Sequence, residues 1–431
     1  MTDLGQRLGA ELADRRDDLA ALTQALVRIP TLNPPGLHYR DICELLAARL
    51  ARSGFKTAFV RATGAPGDSD RHPRWNLVAR REGARPGPCV HFNGHTDVVE
   101  VGHGWTRDPF WGELADGRVY GRGACDMKGG IAAAVVAVEA FLTVRPDFPG
   151  AIEISATADE ETGGYGGVAF LAEAGHFAGV DAVIIPEPLN KDRVCLGHRG
   201  VWWAEIETHG RIAHGSMPFL GDCAVRHMGA VLAEMERSLW PALATRRTAL
   251  PVVPPAARAS SLNVNAFHGG APEIAGFDGL PAPVVPDRCR MVIDRRFLAE
   301  EEIGAVKAEV RAAVERAREG RGFSYAIRDL FEVLPSMTDR DAPVAAALAR
   351  AVAEVTGRPA EFVVSPGTYD QKHIDRIGRL RNCVAYGPGI LDLAHQPDEY
   401  VAVDDMLDAA TVMALALDEL LGAGQRRGRK A

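Results

Sequence analysis

The sequence predicts an α/β fold: a mostly parallel sheet, interrupted by an inserted α+β domain of antiparallel strands and helices. Two patterns carry this reading. Short apolar runs at Cys89–Phe92, Ala151–Ala156, Ala182–Ile185 and Cys383–Tyr386 are separated by helical stretches such as Lys128–Val144, Gly167–Glu173 and Pro343–Thr356. Continuous apolar runs alternating with helices are strands of a sheet covered on both faces. The middle reads differently. Val201–Thr208, Ser261–Phe267 and Arg288–Asp294 alternate apolar and polar residues, with helices at about Cys223–Ser238 and Glu301–Arg318. That is an antiparallel sheet with helices on one face. Residues 198–329 are therefore expected to form the insertion, and 1–197 with 330–431 the main domain.

The remaining elements follow in order. Leu4–Ile29 reads as one amphipathic helix, ended by Pro30 and by the breaker Asn33-Pro34-Pro35-Gly36. A second helix covers about Tyr39–Ser53. Pro343 suits the first turn of its helix, and Asp404–Leu421 closes the chain.

With 431 residues, 47% hydrophobic and 25% charged, the chain is long enough for two or three cores and too apolar for disorder. A net charge of -8 excludes a general nucleic-acid binder, which needs a basic surface. The basic run Arg426–Lys430 reads as a solvated tail. The apolar stretches fall far short of the ~20 residues that span a membrane, and polar Met1–Arg16 is no secretory signal. Seven scattered cysteines without a CxxC pair fit a reducing cytoplasm.

Five segments place acids or histidines beside apolar runs: His91-Phe92-Asn93-Gly94-His95-Thr96-Asp97, Gly121-Arg122-Gly123-Ala124-Cys125-Asp126, Asp159-Glu160-Glu161-Thr162-Gly163, Pro186-Glu187-Pro188, and His395-Gln396-Pro397-Asp398-Glu399. Each alone has an ordinary explanation as a loop or turn. Together they matter, because an open α/β sheet binds ligands beyond the carboxyl ends of its strands. Two imidazoles and several carboxylates gathered there would repel or desolvate one another unless a dication joined them. The nitrogen and oxygen donors suit zinc, with cobalt or manganese as substitutes.

In order and spacing these segments resemble the two-zinc amidohydrolases, the family of acetylornithine deacetylase, succinyl-diaminopimelate desuccinylase, aminoacylase and glutamate carboxypeptidase. The resemblance implies two zinc ions per chain. Asp126 would bridge them, with His95 and Glu187 on one and Glu161 and His395 on the other. Glu160 would be the general base and acid, taking a proton from a water that zinc has acidified to a pKa of ~7. Asp97 would orient His95, since residues two apart in an extended segment share a face. His214 resembles a histidine that reaches a neighbouring active site across a homodimer and donates to the oxyanion. Arg296 resembles an arginine that binds a substrate carboxylate. Gly367-Thr368-Tyr369-Asp370 resembles a substrate-side loop, making Thr368 and Asp370 candidates.

Two departures stand out. The family's Asn-x-x-Pro is Pro283-Val284-Val285-Pro286 here, and its Pro-Gly-Glu is Ala299-Glu300-Glu301, which alters a helix start. His91 and His95 would lie ~13 Å apart along a strand, so His91 is read as structural. Cys125 is read as packing rather than ligating. The expected activity is hydrolysis of an N-acyl amino acid or similar small amide, with a dipeptidase or carboxypeptidase as the alternative. A purely metal-binding or interaction module would have no use for Glu160.

Overall fold

The computed structural model of the chain describes residues 2–270, 280 and 282–428, with side chains of the last helix described to Gly422. The basic run Arg426–Lys430 lies outside the described side chains. The chain folds as two units. One comprises Met1–Gly197, Met337–Val363 and Tyr369–Ala431; the other comprises His198–Ser336 and Val364–Thr368.

The first unit is built on a nine-stranded sheet. At its centre, Arg85–His95 lies parallel to Pro149–Thr157 on one side and to Ala182–Ile185 on the other. Cys383–Ala385 extends the parallel set beyond Ala182–Ile185. These four strands are the apolar runs of the sequence, and they are buried almost throughout. The flanks are antiparallel: Lys56–Arg61 pairs with Trp75–Glu82, Trp75–Glu82 with Pro149–Thr157, and Arg193–His198 with Cys383–Ala385. The sheet is therefore mixed, with a parallel centre and these antiparallel flanking pairs.

Helix Gly129–Val144 is buried from Gly129 to Leu142. Together with the turn before it, Ala124–Val144 is long and apolar enough to cross a membrane, the one such helix among the described residues. This corrects the expectation that no stretch comes near that length. Within the fold, 89% of its most apolar window is buried, as in a core helix. Its acid, Glu139, accepts from Arg49 Nε at 2.7 Å. The expected helix Leu4–Ile29 is two helices, Asp3–Asp14 and Arg16–Val27. They break at Arg15, which leaves helical geometry (φ -96°, ψ 9°) while its guanidinium reaches Glu11 and Glu139.

The second unit carries a four-stranded antiparallel sheet, in the order Ser261–Gly269, Arg288–Phe297, Gly200–His209 and Ser324–Val333. Ala224–Glu234 and Ile303–Arg318 supply the helical side of a shared core. Its fourth strand runs past the boundary expected at Asp329. A bulge between Asp329 and Phe331 breaks the alternation there, and pairing with Gly200–His209 resumes to Val333. Alternation puts Trp202 in the core, 1% exposed, and Trp203 on the other face against Phe331. Trp202 Nε1 donates to Asp329 at 2.9 Å, so the bulge residue anchors the core indole. Trp202→Ala should cost the second unit ~3–5 kcal/mol and Trp203→Ala ~1 kcal/mol, measured as urea unfolding followed by tryptophan fluorescence.

Candidate metal centre and active site

Register fixes where the site forms. His95 pairs with Thr157, and Phe92 with Ile184, so three parallel strands end along one edge. His95 is the last residue of its strand. Glu160 and Glu161 follow Thr157 in a short 3-10 turn, and Glu187 follows Ile185. Helix Gly129–Val144 packs tightly beneath Glu187: a Cβ on Gly130 would lie 1.9 Å from the Pro186 carbonyl oxygen. No other residue allows that approach.

The last two contributors come from far apart in sequence. Arg118–Tyr120 pairs antiparallel with Tyr400–Ala402, Tyr120 opposite Tyr400. This sets the turn bearing Asp126 beside the loop bearing His395. Glu399 joins them. Its Oε1 accepts from the backbone N–H groups of Gly123, Cys125 and Asp126 at 2.9–3.0 Å, and its Oε2 accepts from Arg122 Nη1 at 2.5 Å. Arg122 also donates to the carbonyls of Val101, His395 and Gln396.

Two sets of donor atoms result, each lying within 4.8 Å: His95, Asp126 and Glu187, and Asp126, Glu161 and His395. Asp126 belongs to both. Its Oδ1 is 3.1 Å from His95 Nε2 and its Oδ2 is 3.5 Å from His395 Nε2. Glu161 Oε1 is 3.1 Å from His395 Nε2, and Glu187 Oε1 is 4.0 Å from His95 Nε2. Electrostatics expresses the crowding. Burial pushes Glu161 up to about 7 and, aided by Asp126, lifts Glu187 well above the usual carboxylate range. The hydrogen bond to Glu161 pushes His395 up to about 9. Three donors per set, mixed nitrogen and oxygen, with one carboxylate common to both, fit a pair of borderline divalent ions.

Asp97 meets His95 through both its carbonyl and its carboxylate. His95 Nδ1 bonds the main-chain carbonyl of Asp97 at 3.1 Å, and the carboxylate lies farther, at 3.6 Å. That carboxylate also accepts the backbone N–H groups of Glu160 and Glu161, both at 3.1 Å, and Asn33 Nδ2 at 3.0 Å. Asp97 therefore ties the His95 strand end to the glutamate turn. Asp370, 1% exposed, accepts from Asn93 Nδ2 at 2.7 Å and lies within electrostatic range of Glu160, Glu187 and His95.

His214, Arg296 and Thr368 belong to the second unit. His214 is exposed, on a loop bridged to Val284. Its Nδ1 accepts the Ser216 backbone N–H at 3.2 Å. Arg296 forms a two-point pair with Asp294, at 2.8 and 3.0 Å. Glu301 does more than start a helix: it receives the buried Arg295 at 2.7 Å and the Leu298 N–H at 2.7 Å. His91 sits buried between Glu153 and Ser155, and Cys125 packs with its thiol on the Ile390 carbonyl.

Sequence reasoning passed over two groups. Glu399 ended a quoted segment yet received no role. Lys372, two residues beyond Asp370, is 2% exposed and holds Glu160 Oε1 at 2.5 Å. Its one available signal was its place just after the Gly367–Asp370 loop.

A centre of this kind makes the protein a metal-dependent hydrolase of amide bonds. Residues 91–419 match peptidase family M20/M25/M40, and the chain belongs to that family. It is 32% identical to a succinyl-diaminopimelate desuccinylase of Rhodospirillum rubrum over 413 residues, covering 90% of this chain and 95% of that one. A protein of the same name from Methylorubrum extorquens is 32% identical over 415 residues, covering 92% and 97%. The fold is shared with human carnosine dipeptidase 1 (TM-score 0.78, 21% identity, 97% and 99% of the chains covered) and with a metallo-carboxypeptidase of Sulfolobus solfataricus (TM-score 0.72, 18% identity, 93% and 98% covered).

The raised Glu161 and His395 have a measurable consequence. An ion needs the carboxylate ionised and the imidazole neutral. Below about 7 Glu161 holds a proton, and below about 9 His395 does. Zinc binding to the metal-free protein should therefore release protons, and its affinity should rise with pH from ~6 to ~9. Calorimetry in buffers of different ionisation enthalpy checks this; a pH-independent affinity would contradict it.

Proposed function

We propose that the protein is a cytoplasmic, homodimeric two-zinc deacylase that removes an acyl group from an N-acyl amino acid, a succinyl group first among the candidates. The observation that carries this reading is identity of about a third, over nine-tenths of the chain, to proteins named succinyl-diaminopimelate desuccinylase. The dipeptidase and carboxypeptidase neighbours share the fold at lower identity. Seven free cysteines support the cytoplasm.

His95, Asp126 and Glu187 would hold one ion, and Asp126, Glu161 and His395 the other, with cobalt or manganese as substitutes. Ions bound there would supply Lewis acidity toward an amide carbonyl and toward a water. Glu160 belongs to neither donor set. With Oε1 engaged by Lys372, it has Oε2 to take the water's proton and return it to the leaving nitrogen. Asp97 fixes the turn that carries it. His214 Nδ1 is occupied by the Ser216 backbone N–H at 3.2 Å and the Ser216 hydroxyl at 2.8 Å, which leaves Nε2 as the ring's outward donor. That arrangement suits donation to an oxyanion, which we assign to the site of the partner subunit. Arg296, Thr368 and Asp370 stand as substrate-side residues. A substrate carboxylate at Arg296 would share the guanidinium with Asp294 or displace it.

A panel of N-succinyl, N-acetyl and N-formyl amino acids and dipeptides, with zinc added, should give the highest kcat/KM on an N-acyl amino acid. A preference for dipeptides would favour the alternative. In the same assay Glu160→Gln should retain both ions and lose ~10²–10⁴ in kcat, whereas Glu161→Gln should lose one ion.

The role of His214 across a dimer is tested separately. His214→Ala and Glu160→Ala should each be nearly inactive. After subunit exchange half the dimers are hybrid, and one site in each hybrid is intact, so activity should return to roughly a quarter of wild type. No return despite exchange shown by mass spectrometry would remove the trans role.

A further inference from the structure

Adjacent glutamates in one turn are read above as different things, Glu161 as a ligand and Glu160 as a base. Nothing in their own chemistry separates them. Any carboxylate free to swing toward a dication becomes its ligand. The difference must lie in what holds each one.

Lys372 holds Glu160. Its ammonium is buried in the first turn of the short helix Gln371–Arg376, where burial disfavours the charge, but Glu160, Asp370 and Glu187 outweigh that and keep it protonated. The helix cannot adjust to let go. Gln371 Nε2 donates to Leu196 O, Thr338 Oγ1 and Cys383 O at 3.2, 2.9 and 2.8 Å, and its Oε1 accepts from Tyr369 at 2.6 Å. On the other side of Lys372, His373 Nε2 bonds the Gly163 carbonyl at 2.7 Å, gripping the far end of the glutamate turn. Asp370 is anchored on Asn93. Residues 370 to 373 thus form a fixed bracket against the turn, with the ammonium at Oε1 of Glu160. Glu161 faces His395 instead.

We infer that Lys372 is a positioning residue that keeps Glu160 out of the metal shells, and so makes it a base rather than a sixth ligand. This rests on the reading of Glu160 as the general base. Without the ammonium, Glu160 would be free to turn toward the donor sets, where an oxygen bound to an ion could no longer accept a proton.

The test uses the cobalt-loaded and zinc-loaded full-length protein. Lys372→Met keeps the apolar stem and removes the charge. Its kcat should fall ~10–100-fold with KM within ~threefold, and the visible spectrum of the cobalt form should change as the coordination number rises. Lys372→Arg keeps the ion pair, and should retain the wild-type spectrum and kcat within ~tenfold. If Lys372→Met does not fold, by circular dichroism, Lys372→Gln is read in the same way. A charge-free variant with wild-type kcat, or with an unchanged cobalt spectrum, overturns the inference. Glu160→Gln, measured alongside, separates the two readings. If it stays active, the base assignment itself fails; if it is inactive while Lys372→Met is not, only the role of Lys372 fails.

Discussion

Carboxylates crowd the carboxyl ends of three parallel strands, in a place from which water is largely excluded. Asp97, Asp126, Glu160, Glu161, Glu187 and Asp370 all lie there, and none is more than slightly exposed. Like charges at such range destabilise the fold unless each finds a partner, and the surrounding architecture can be read as the set of partners. Asp97 is answered by two backbone N–H groups, Asp370 by Asn93, and Glu160 by an ammonium. Asp126 is held low by His95 and His395, whereas burial leaves Glu161 and Glu187 raised despite their imidazole neighbours. Glu161 and Glu187, raised by burial, each converge with Asp126 and an imidazole on a common point. The demand for a cation is therefore built into the protein before any ion arrives.

This division of partners explains how much of the site was legible from sequence. His95, Asp126, Glu160, Glu161 and Glu187 follow strand ends or tight turns, and a strand end can be located from an apolar run. The geometry that brings Asp126 to His395 is less visible, because it depends on two three-residue strands, Arg118–Tyr120 and Tyr400–Ala402, too short to leave a periodic pattern. The Asp97 carboxylate is legible in the sequence, but the carbonyl that also meets His95 is not. A main-chain atom leaves no trace in residue type. Lys372 was missed since its partner is a loop more than 200 residues earlier, and a buried lysine looks like any other in a sequence.

The same limits apply to the fold. The parallel centre was readable because burial on both faces makes strands uniformly apolar. The break at Arg15 was hidden by an amphipathic pattern that continues through it, and the end of the second sheet by a bulge that shifts the alternation at Asp329. Ala124–Val144 carries the reverse lesson. Its apolar surface meets a membrane-spanning criterion, yet Gly129, Gly130 and the alanines that follow serve close packing under the Glu187 strand end. Small residues raise average hydropathy while marking an approach between backbones that lipid would not require.

The first unit is discontinuous in the chain, and this has a bearing on biosynthesis. A ribosome releases His95, Asp126, Glu161 and Glu187 early, and His395 with Glu399 only after ~200 further residues, an interval of ~10–40 s at ordinary elongation rates. Throughout that interval the nascent chain owns one complete donor triad and two of the three donors of the other, with the turn bearing Asp126 lacking the carboxylate that shapes it. Competence to bind two ions arrives together with the last strand and the closing helix. Products that end before His395 therefore lack one donor of the second set.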